Sequence, residues 1–192
     1  ADNRRARSIE LPASLQNIRT RAFANCTLIR SIDVPDAVSE IGEEAFVGCV
    51  RLSSVNISDD SNLRIVGSKA FSQAGISEFN IPASLISLGD RVFYGSTALR
   101  KIKVADENSV YMVKNSALYN ADGTSLIYYP SGLAGEYTVN SSTKSIGTAA
   151  FAYSRSNEVV LNDGLVSIGE EGFAYSRIDG IAFPESVETL GT

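Results

Sequence analysis

Apolar residues recur along this chain in a unit of about 22 to 25 residues. The clearest marker of the unit is a phenylalanine, found at Phe23, Phe46, Phe71, Phe93, Phe151 and Phe173. The successive spacings between these rings are 23, 25, 22, 58 and 22 residues. Repetition at such a period is typical of a solenoid, in which a coil buries its apolar face only by stacking on its neighbours. The pattern therefore predicts one continuous array of coils.

Each unit also carries two apolar residues separated by one position, which places both side chains on the same face of a short strand. The pairs are Ile9/Leu11, Ile32/Val34, Val55/Ile57, Phe79/Ile81, Ile102/Val104, Tyr137/Val139, Val159/Leu161 and Ile181/Phe183. Eight such strands, one from each unit, predict a parallel sheet. We expect a second short strand near Ser39 to Gly42, and at the equivalent place in the other units, on the opposite side of the coil.

A glycine follows this second strand in six of seven units, at Gly42, Gly67, Gly89, Gly147, Gly169 and Gly191, with Arg19 as the exception. A glycine at a fixed place predicts positive φ or a tight turn. Next comes the phenylalanine, which we expect in a short helical turn whose positive end suits the acids Glu43 and Glu44. Three residues after the phenylalanine stands a small side chain, as expected where neighbouring coils press together.

The repeat is interrupted between Ala105 and Glu136, where the first-strand pairs lie 35 residues apart and the phenylalanine segment is missing. Aromatic and β-branched runs on both sides of the turn 120–123 predict a β-hairpin. We expect this hairpin to replace the outer half of one coil and to project from it. Half of the tyrosines lie here: Tyr111, Tyr119, Tyr128 and Tyr129.

Composition narrows the possible partners and chemistry. The 192 residues have a net charge of -5 and include no His. An acidic balance argues against nucleic acid and anionic membrane surfaces, which need concentrated Lys and Arg. No apolar run approaches the ~18 residues of a membrane span, and this chain shows no signal segment. The lack of His removes the commonest general base and the commonest metal ligand.

Two groups of residues could suggest chemistry, and neither is convincing. Cys26 and Cys49 occupy equivalent positions in adjacent units, about 5 Å apart at Cα if the coils stack. That separation permits a disulfide, but inward side chains of stacked coils run parallel, so we favour two reduced thiols. The pairs Glu43–Glu44 and Glu170–Glu171 repeat along a convex surface and do not face each other across a cleft, as a catalytic carboxylate pair does. We predict no catalytic residue, no cofactor and no metal site.

The unit I-x-L-P-x-x-L-x-x-I-G-x-x-A-F-x-x-C-x-x-L closely resembles the leucine-rich repeat of the BspA-like, or Treponema-type, class. The resemblance covers about Ser8 to Thr192, and Val34-Pro35, Ile41-Gly42, Ala45-Phe46 and Cys49 stand in the family places. The segment 117–130 is similar to the hairpin that interrupts many of these arrays.

The resemblance implies an α/β-type solenoid that is predominantly β, wound as a right-handed leucine-rich repeat coil with parallel strands and one inserted β-hairpin. We expect residues 1–192 to form a single solenoid with an irregular repeat at 105–136. The sequence stops at Thr192, before the next expected phenylalanine segment. We therefore expect it to be a piece of a longer protein.

Family members are similar in being surface or secreted proteins implicated in adhesion. The resemblance thus implies a secreted or cell-surface domain that is monomeric and non-catalytic. Its partner would be a macromolecule, a protein of the host matrix or of another cell surface. Three alternatives stay open, namely a structural spacer that presents another module, a glycan-binding domain and a glycan-cleaving enzyme.

Two surfaces are candidates for partner binding. The first is the outward face of the first strands, which solenoids commonly use for binding, although a solvated sheet face would show the same pattern. Its candidate residues are Glu10, Asp33, Asn56, Glu78, Asn80, Lys101, Lys103 and Glu136. The second is the hairpin, through Tyr119 and Tyr128, because tyrosine is favoured at contact hot spots. The alternative for these tyrosines is that they pack onto the coil beneath.

Overall fold

The computed structural model describes residues 6–191, and residues 1–5 and 192 lie outside the described part of the chain. The described residues form sixteen short strands and no helix. In chain order they are β1 (Asn17–Ile18), β2 (Ser31–Asp33), β3 (Glu40–Ile41), β4 (Ser54–Asn56), β5 (Ile65–Val66), β6 (Glu78–Ile81), β7 (Ser87–Leu88), β8 (Lys101–Val104), β9 (Tyr111–Lys114), β10 (Ala117–Asn120), β11 (Ser125–Tyr128), β12 (Ala134–Thr138), β13 (Ser145–Ile146), β14 (Arg155–Val160), β15 (Ser167–Ile168) and β16 (Thr189–Leu190).

Most coils contribute one strand to each of two ladders, in which the strands of regular coils pair in parallel. The first ladder contains the pairs β2–β4, β6–β8 and β12–β14. The second ladder contains a four-stranded sheet in the order β1-β3-β5-β7 and a six-stranded sheet in the order β16-β15-β13-β11-β10-β9. The second short strand predicted near Ser39 to Gly42 is confirmed, since β3 lies there and pairs in parallel with β1 and β5.

The first ladder is less continuous than the predicted eight-stranded sheet. The segment at Ile9 and Leu11 forms no strand, and the last described coil contributes only a bridge between Glu158 and Gly180. The pair β6–β8 is separated from β12–β14 because the inserted hairpin lies between them in the chain. The inward side chains are nevertheless buried at Ile32, Val55, Phe79, Ile102, Tyr137 and Val159.

A column of aromatic rings fills the interior. Phe46 and Phe71 are fully buried, and their ring centroids lie 5.2 Å apart with planes only 2° from parallel. Phe23 stacks on Phe46 at 5.2 Å, and Phe173 stacks on Phe151 at the same distance. The predicted stacking of phenylalanines inside a shared core is therefore confirmed.

The recurring glycines serve close packing, which corrects the expectation of positive φ. None of these glycines lies in the left-handed region. A Cβ built on Gly42 would lie 2.5 Å from the backbone nitrogen of Thr20, and one on Gly67 would lie 2.5 Å from that of Glu43. At five of the six recurring positions a Cβ would lie within 2.7 Å of a neighbouring backbone atom, and Gly147, at 3.2 Å, is the exception. Glycine is therefore required at those five positions because the backbones of successive coils approach each other too closely for a side chain.

The segment around each phenylalanine is an arc of turns, and the predicted helical turn is wrong. We define an arc as the five residues centred on the phenylalanine. Its first and last residues have positive φ, for example Lys69 and Gln73, both at 56°. The N–H groups of Lys69, Phe71 and Gln73 donate to the next coil at 3.0, 2.9 and 2.8 Å. Alternate N–H groups thus bond between coils where a helix would keep them within its own turn.

The inserted segment belongs to the second ladder and does not project, contrary to expectation. Strand β9 pairs antiparallel with β10, and β10 pairs antiparallel with β11, as predicted for the turn at 120–123. The β9–β10 turn has positive φ at both Asn115 and Ser116 (48° and 67°), as in a type I′ turn. Strand β11 then pairs in parallel with β13, and Leu126 lies opposite Ile146.

The tyrosines of this segment complete the core. Tyr111, Tyr119, Tyr128 and Tyr129 are all buried. The Tyr129 ring lies 5.2 Å from that of Phe151, and the Tyr128 ring lies 5.2 Å from that of Phe93. Tyr128 thus extends the buried cluster of the earlier coils and Tyr129 that of the later coils at the unit that lacks a phenylalanine.

The two cysteines are buried and form no disulfide. The Cys49 thiol donates a hydrogen bond to the carbonyl of Phe23 at 3.1 Å. Burial raises the pKa of Cys49 to about 12, so the thiol is neutral at physiological pH. The prediction of two small, reduced side chains is confirmed.

Candidate functional site

The outward side chains of the first ladder form the first candidate surface, which we call the first-ladder face. A polar network across β2 and β4 lies at its start. Asp33 and Asn56 are opposite each other in the strand register, and both are exposed. The Asn56 amide donates to Asp33 Oδ1 at 2.6 Å, and the Ser54 hydroxyl donates to Asn56 Oδ1 at 2.7 Å. The two neighbouring coils thus present one fixed arrangement of acceptors to solvent.

A second group lies on β6 and β8, where both signs of charge occur. Glu78 forms an ion pair with Lys103, and it also lies opposite Lys101 in the strand register. Lys101 is exposed. The Oδ1 atom of Asn80 is buried and has no hydrogen-bond partner among the described residues. This group supplies the positive charge of the face.

The remaining predicted residues are set apart from these two groups. Glu10 is exposed but lies before the first strand of its ladder. Glu136 is exposed on β12, opposite Glu158 on β14, in a sheet separate from β6–β8. The candidate face therefore falls into two parts, and the structure brings together Asp33 with Asn56 and Glu78 with both lysines.

Tyr119 and Tyr128 are not surface residues, which corrects their assignment to a contact surface. Their exposed fractions are 0% and 6%. The Tyr119 hydroxyl lies 2.9 Å from that of Tyr137, and the Tyr128 hydroxyl lies 3.0 Å from that of Ser131. Burial raises the pKa of Tyr128 to about 12 and also raises that of Tyr137. Both tyrosines act as core residues with satisfied hydroxyl groups.

The structure reveals a row of tyrosines, two half-buried and one exposed, that the sequence interpretation missed. The Tyr153 and Tyr175 rings stack at 4.9 Å, and Tyr94 meets Tyr153 edge-on at 5.0 Å. Tyr175 is 70% exposed. A signal was present, because Tyr153 and Tyr175 each stand two residues after a phenylalanine in the repeated string F-A-Y-S.

This row crosses a seam, which we define as the place where arc 91–95 faces arc 149–153. The Arg91 guanidinium reaches Glu171 at 3.2 Å and Glu170 at 3.3 Å, across 80 and 79 residues of chain. Burial alone would lower the pKa of Arg91, but the bonds to Glu171 and Glu170 raise it. Burial and the neighbouring Tyr153 raise the pKa of Tyr94. No sequence signal connects residues so far apart.

Beneath these side chains the seam contains a cleft of about 200 Å³. Residues 88–94 form one wall, and residues 147–149 form the other. Leu118, Ile127 and Tyr128 of the inserted segment also line it. The cleft thus combines backbone edges on two sides with an apolar floor.

The described residues contain neither a metal-binding cluster nor a membrane-spanning helix. Between residues 6 and 191, no three His, Cys, Asp or Glu side chains are grouped so that they could hold a metal ion. No helix in the same part of the chain has the length and apolar character needed to cross a membrane.

Similarity to known proteins agrees with this architecture. The chain matches the BspA type leucine rich repeat region, in six copies, over residues 2–125 and 125–192. It therefore belongs to the family of BspA-type leucine-rich repeat proteins. No curated protein matches the chain.

Solved structures of bacterial proteins share the fold. The pneumococcal vaccine antigen PcpA has a TM-score of 0.84 and 28% identity over 91% of this chain. A leucine-rich repeat protein from Eubacterium ventriosum has a TM-score of 0.77 and 24% identity over 92% of the chain. A leucine rich cell surface protein from Faecalibacterium prausnitzii has a TM-score of 0.73 and 23% identity over 91%.

The chain spans only about half the length of these proteins. It covers 44% of the pneumococcal antigen, 53% of the Eubacterium protein and 44% of the Faecalibacterium protein. The last two similarities, each below 25% identity, show the fold alone.

Proposed function

We propose that this chain is a non-catalytic, monomeric binding domain of a secreted or cell-surface protein, and that it mediates adhesion to a protein partner. The observation that carries the proposal is the first-ladder face, where polar side chains of successive coils are held in fixed positions by bonds such as that from Asn56 to Asp33 (2.6 Å). Membership of a bacterial repeat family and 28% identity to a pneumococcal vaccine antigen support it.

The mechanism is rigid presentation of a preformed surface. Because the strands of this face are hydrogen-bonded in the pairs β2–β4, β6–β8 and β12–β14, few groups need to be ordered when a partner binds, which lowers the entropic cost of association. Lys101 and Lys103 stand beside the acidic and amide groups of the earlier coils. A partner with a complementary pattern of charge would be selected mainly through this arrangement.

The test is to immobilise the chain and titrate purified extracellular-matrix proteins over it. We expect saturable binding to at least one of them, weakened tenfold or more by the double charge reversal Lys101→Glu/Lys103→Glu. Arg64→Glu is the control, because Arg64 is also exposed but lies beside the second ladder. Absence of binding to every matrix protein would favour a structural spacer, and unchanged binding by the double variant would exclude the first-ladder face.

A further inference from the structure

The seam interrupts a pattern of backbone hydrogen bonds that holds elsewhere. In the regular coils, three N–H groups of each arc donate to the arc of the next coil, as those of Lys69, Phe71 and Gln73 do. The equivalent groups at the seam belong to Arg91, Phe93 and Gly95. None of these three N–H groups has an acceptor within residues 6–191.

On the opposite wall of the seam, two backbone carbonyls lack hydrogen-bond donors within residues 6–191. In the regular pattern, the acceptors on this wall would be the carbonyl of Thr148, which precedes arc 149–153, and the carbonyls of Ala150 and Ala152 within the arc. Tyr129 N donates to Ala150 O at 2.9 Å, while the carbonyls of Thr148 and Ala152 receive no donor from the described chain. The unpaired N–H groups of Arg91 and Phe93 thus line one wall of the cleft and the unpaired carbonyl of Thr148 lines the other, while Gly95 and Ala152 are not among its lining residues.

The cause is a shortage of two residues in the inserted unit. Leu126 lies opposite Ile146 in the ladder. Phe151 stands five positions after Ile146 in the sequence, but Tyr129, whose ring is equivalent, stands only three positions after Leu126. The inserted unit therefore supplies its ring to the core without forming an arc of its own.

We propose that the cleft receives an extended segment of a partner polypeptide, which supplies the missing arc by pairing its backbone with both walls. The unpaired N–H groups of Arg91 and Phe93 on one wall and the unpaired carbonyl of Thr148 on the other are groups that a peptide backbone satisfies, as in other cases of strand addition. This site is separate from the first-ladder face and does not depend on it.

The core beneath the cleft determines which segment fits. The Phe93 and Tyr128 rings, 5.2 Å apart, already occupy the aromatic column. The inward side chains of the bound segment must therefore be small, such as Gly, Ala or Ser. The mouth of the cleft is crossed by Arg91 and Tyr94, which must turn aside when the segment binds. Since exposed ion pairs contribute little, the bonds of Arg91 to Glu170 and Glu171 are a weak barrier.

The geometry of the unbound cleft can be checked by amide hydrogen exchange followed by NMR. We expect the amides of Arg91, Phe93 and Gly95 to exchange at least tenfold faster than the bonded amides at the equivalent positions of arc 69–73. Equal protection in the two arcs would show that the donors at the seam are bonded in solution, and the proposal would then be wrong.

Binding is tested with linear twelve-residue peptides selected from a phage-displayed random library against the 192-residue chain. The enriched peptides are synthesised and titrated into the wild type, Ser125→Trp and Ser167→Trp. Ser125, Ser145 and Ser167 occupy successive positions of one ladder and are all half-buried, but only Ser125 lines the cleft. Ser167→Trp is therefore the matched control for Ser125→Trp, which fills the cleft.

We expect saturable binding to the wild type and Ser167→Trp, with at least tenfold weaker binding to Ser125→Trp. The amides of Arg91, Phe93 and Gly95 should shift and become protected on binding, and this readout in the wild type remains decisive if Ser125→Trp fails to fold. Failure to enrich any peptide, or peptides that shift only first-ladder amides, would overturn the proposal. Loss of matrix binding with Lys101→Glu/Lys103→Glu would leave this result unaffected, so the two sites are tested independently.

Discussion

The coil that carries Phe71 and the inserted unit that carries Tyr129 put an aromatic ring into the same column by different means. Phe71 is surrounded by backbone hydrogen bonds, since its own N–H and those of Lys69 and Gln73 reach the next coil. Tyr129 has one such bond, to Ala150. Its hydroxyl instead accepts a hydrogen bond from the buried Ser156 at 3.1 Å.

The comparison shows what a solenoid needs when a unit loses its arc. A phenylalanine suffices where the backbone satisfies its own polar groups. At the inserted unit, tyrosines replace phenylalanines because their hydroxyls can pair with other buried groups. Tyr119 pairs with Tyr137, Tyr128 with Ser131, and the Ser131 hydroxyl donates to the carbonyl of Ser96 at 3.1 Å. Hydrogen bonds between buried side chains thus replace part of the backbone hydrogen bonding that the interrupted ladders lack.

The largest expected effect concerns the ring column of the regular coils. Phe46→Ala removes a fully buried ring that stacks on both Phe23 and Phe71. We expect the free energy of unfolding to fall by about 3–5 kcal/mol, measured by urea denaturation. Tyr175→Ala serves as the control, because that ring is 70% exposed. A loss below about 1 kcal/mol for Phe46→Ala would mean that the column does not hold the coils together.

A smaller change in the free energy of unfolding is expected when a glycine is replaced by alanine, and it should differ between the regular coils and the coil that follows the inserted unit. Gly67→Ala places a Cβ 2.5 Å from the backbone of Glu43, whereas at Gly147, which follows the inserted unit, the nearest atom is 3.2 Å away. We expect Gly67→Ala to cost about 1–3 kcal/mol through overpacking and Gly147→Ala to cost less, both measured by thermal unfolding. Gly180→Ala is the control, since no atom lies within 4 Å. Equal losses at positions 67 and 147 would contradict the looser packing after the insertion.

Removing a hydroxyl from the hydrogen-bond network of the inserted unit should lower the free energy of unfolding by less than Phe46→Ala or Gly67→Ala does. Tyr119→Phe removes the hydrogen bond to Tyr137 without opening a cavity, and we expect a loss of about 0.5–1.5 kcal/mol. The double variant Tyr119→Phe/Tyr137→Phe should recover part of that loss, because it leaves neither hydroxyl of the pair unpaired. A double-mutant cycle by chemical denaturation measures the coupling. Strict additivity would show that the hydroxyls do not interact.

The smallest expected effect is that of the ion pairs on the outer surface. Arg91→Ala breaks the bonds across the seam, and Arg21→Ala breaks a bond of 2.8 Å to Glu44 between adjacent coils. Because these pairs are partly exposed, we expect each change to cost less than about 1 kcal/mol, and less still at high salt. Thermal unfolding at low and high ionic strength provides the measurement. A large, salt-independent loss for Arg91→Ala alone would mean that the seam depends on this residue.

Much of the fold follows from local spacing. The alternation in Ile32/Val34 predicts a half-buried strand, and the recurrence of Phe46 at Phe71 predicts a stacked column. These predictions hold because a residue repeated at a constant period must meet its own equivalent in the next coil. The first-ladder positions of the candidate site, such as Asp33 and Asn56, follow from the same argument.

The role of the glycines and the form of the arcs did not follow in this way. A recurrent glycine such as Gly67 is compatible with either positive φ or a close contact, and only the position of the neighbouring backbone distinguishes them. The positive φ instead falls on Lys69 and Gln73, residue types for which that conformation is uncommon. Inter-coil hydrogen bonds from these residues offset the local preference.

The sequence by itself determined the repeating coil, its core and its outward polar face, because each depends on interactions between equivalent positions one repeat apart. Only the tertiary structure decided where the inserted tyrosines lie, why Arg91 meets Glu171 and where the cleft opens. Those features depend on how a unit two residues short in its arc packs between two regular coils. A local pattern contains no information about contacts made across 80 residues of chain.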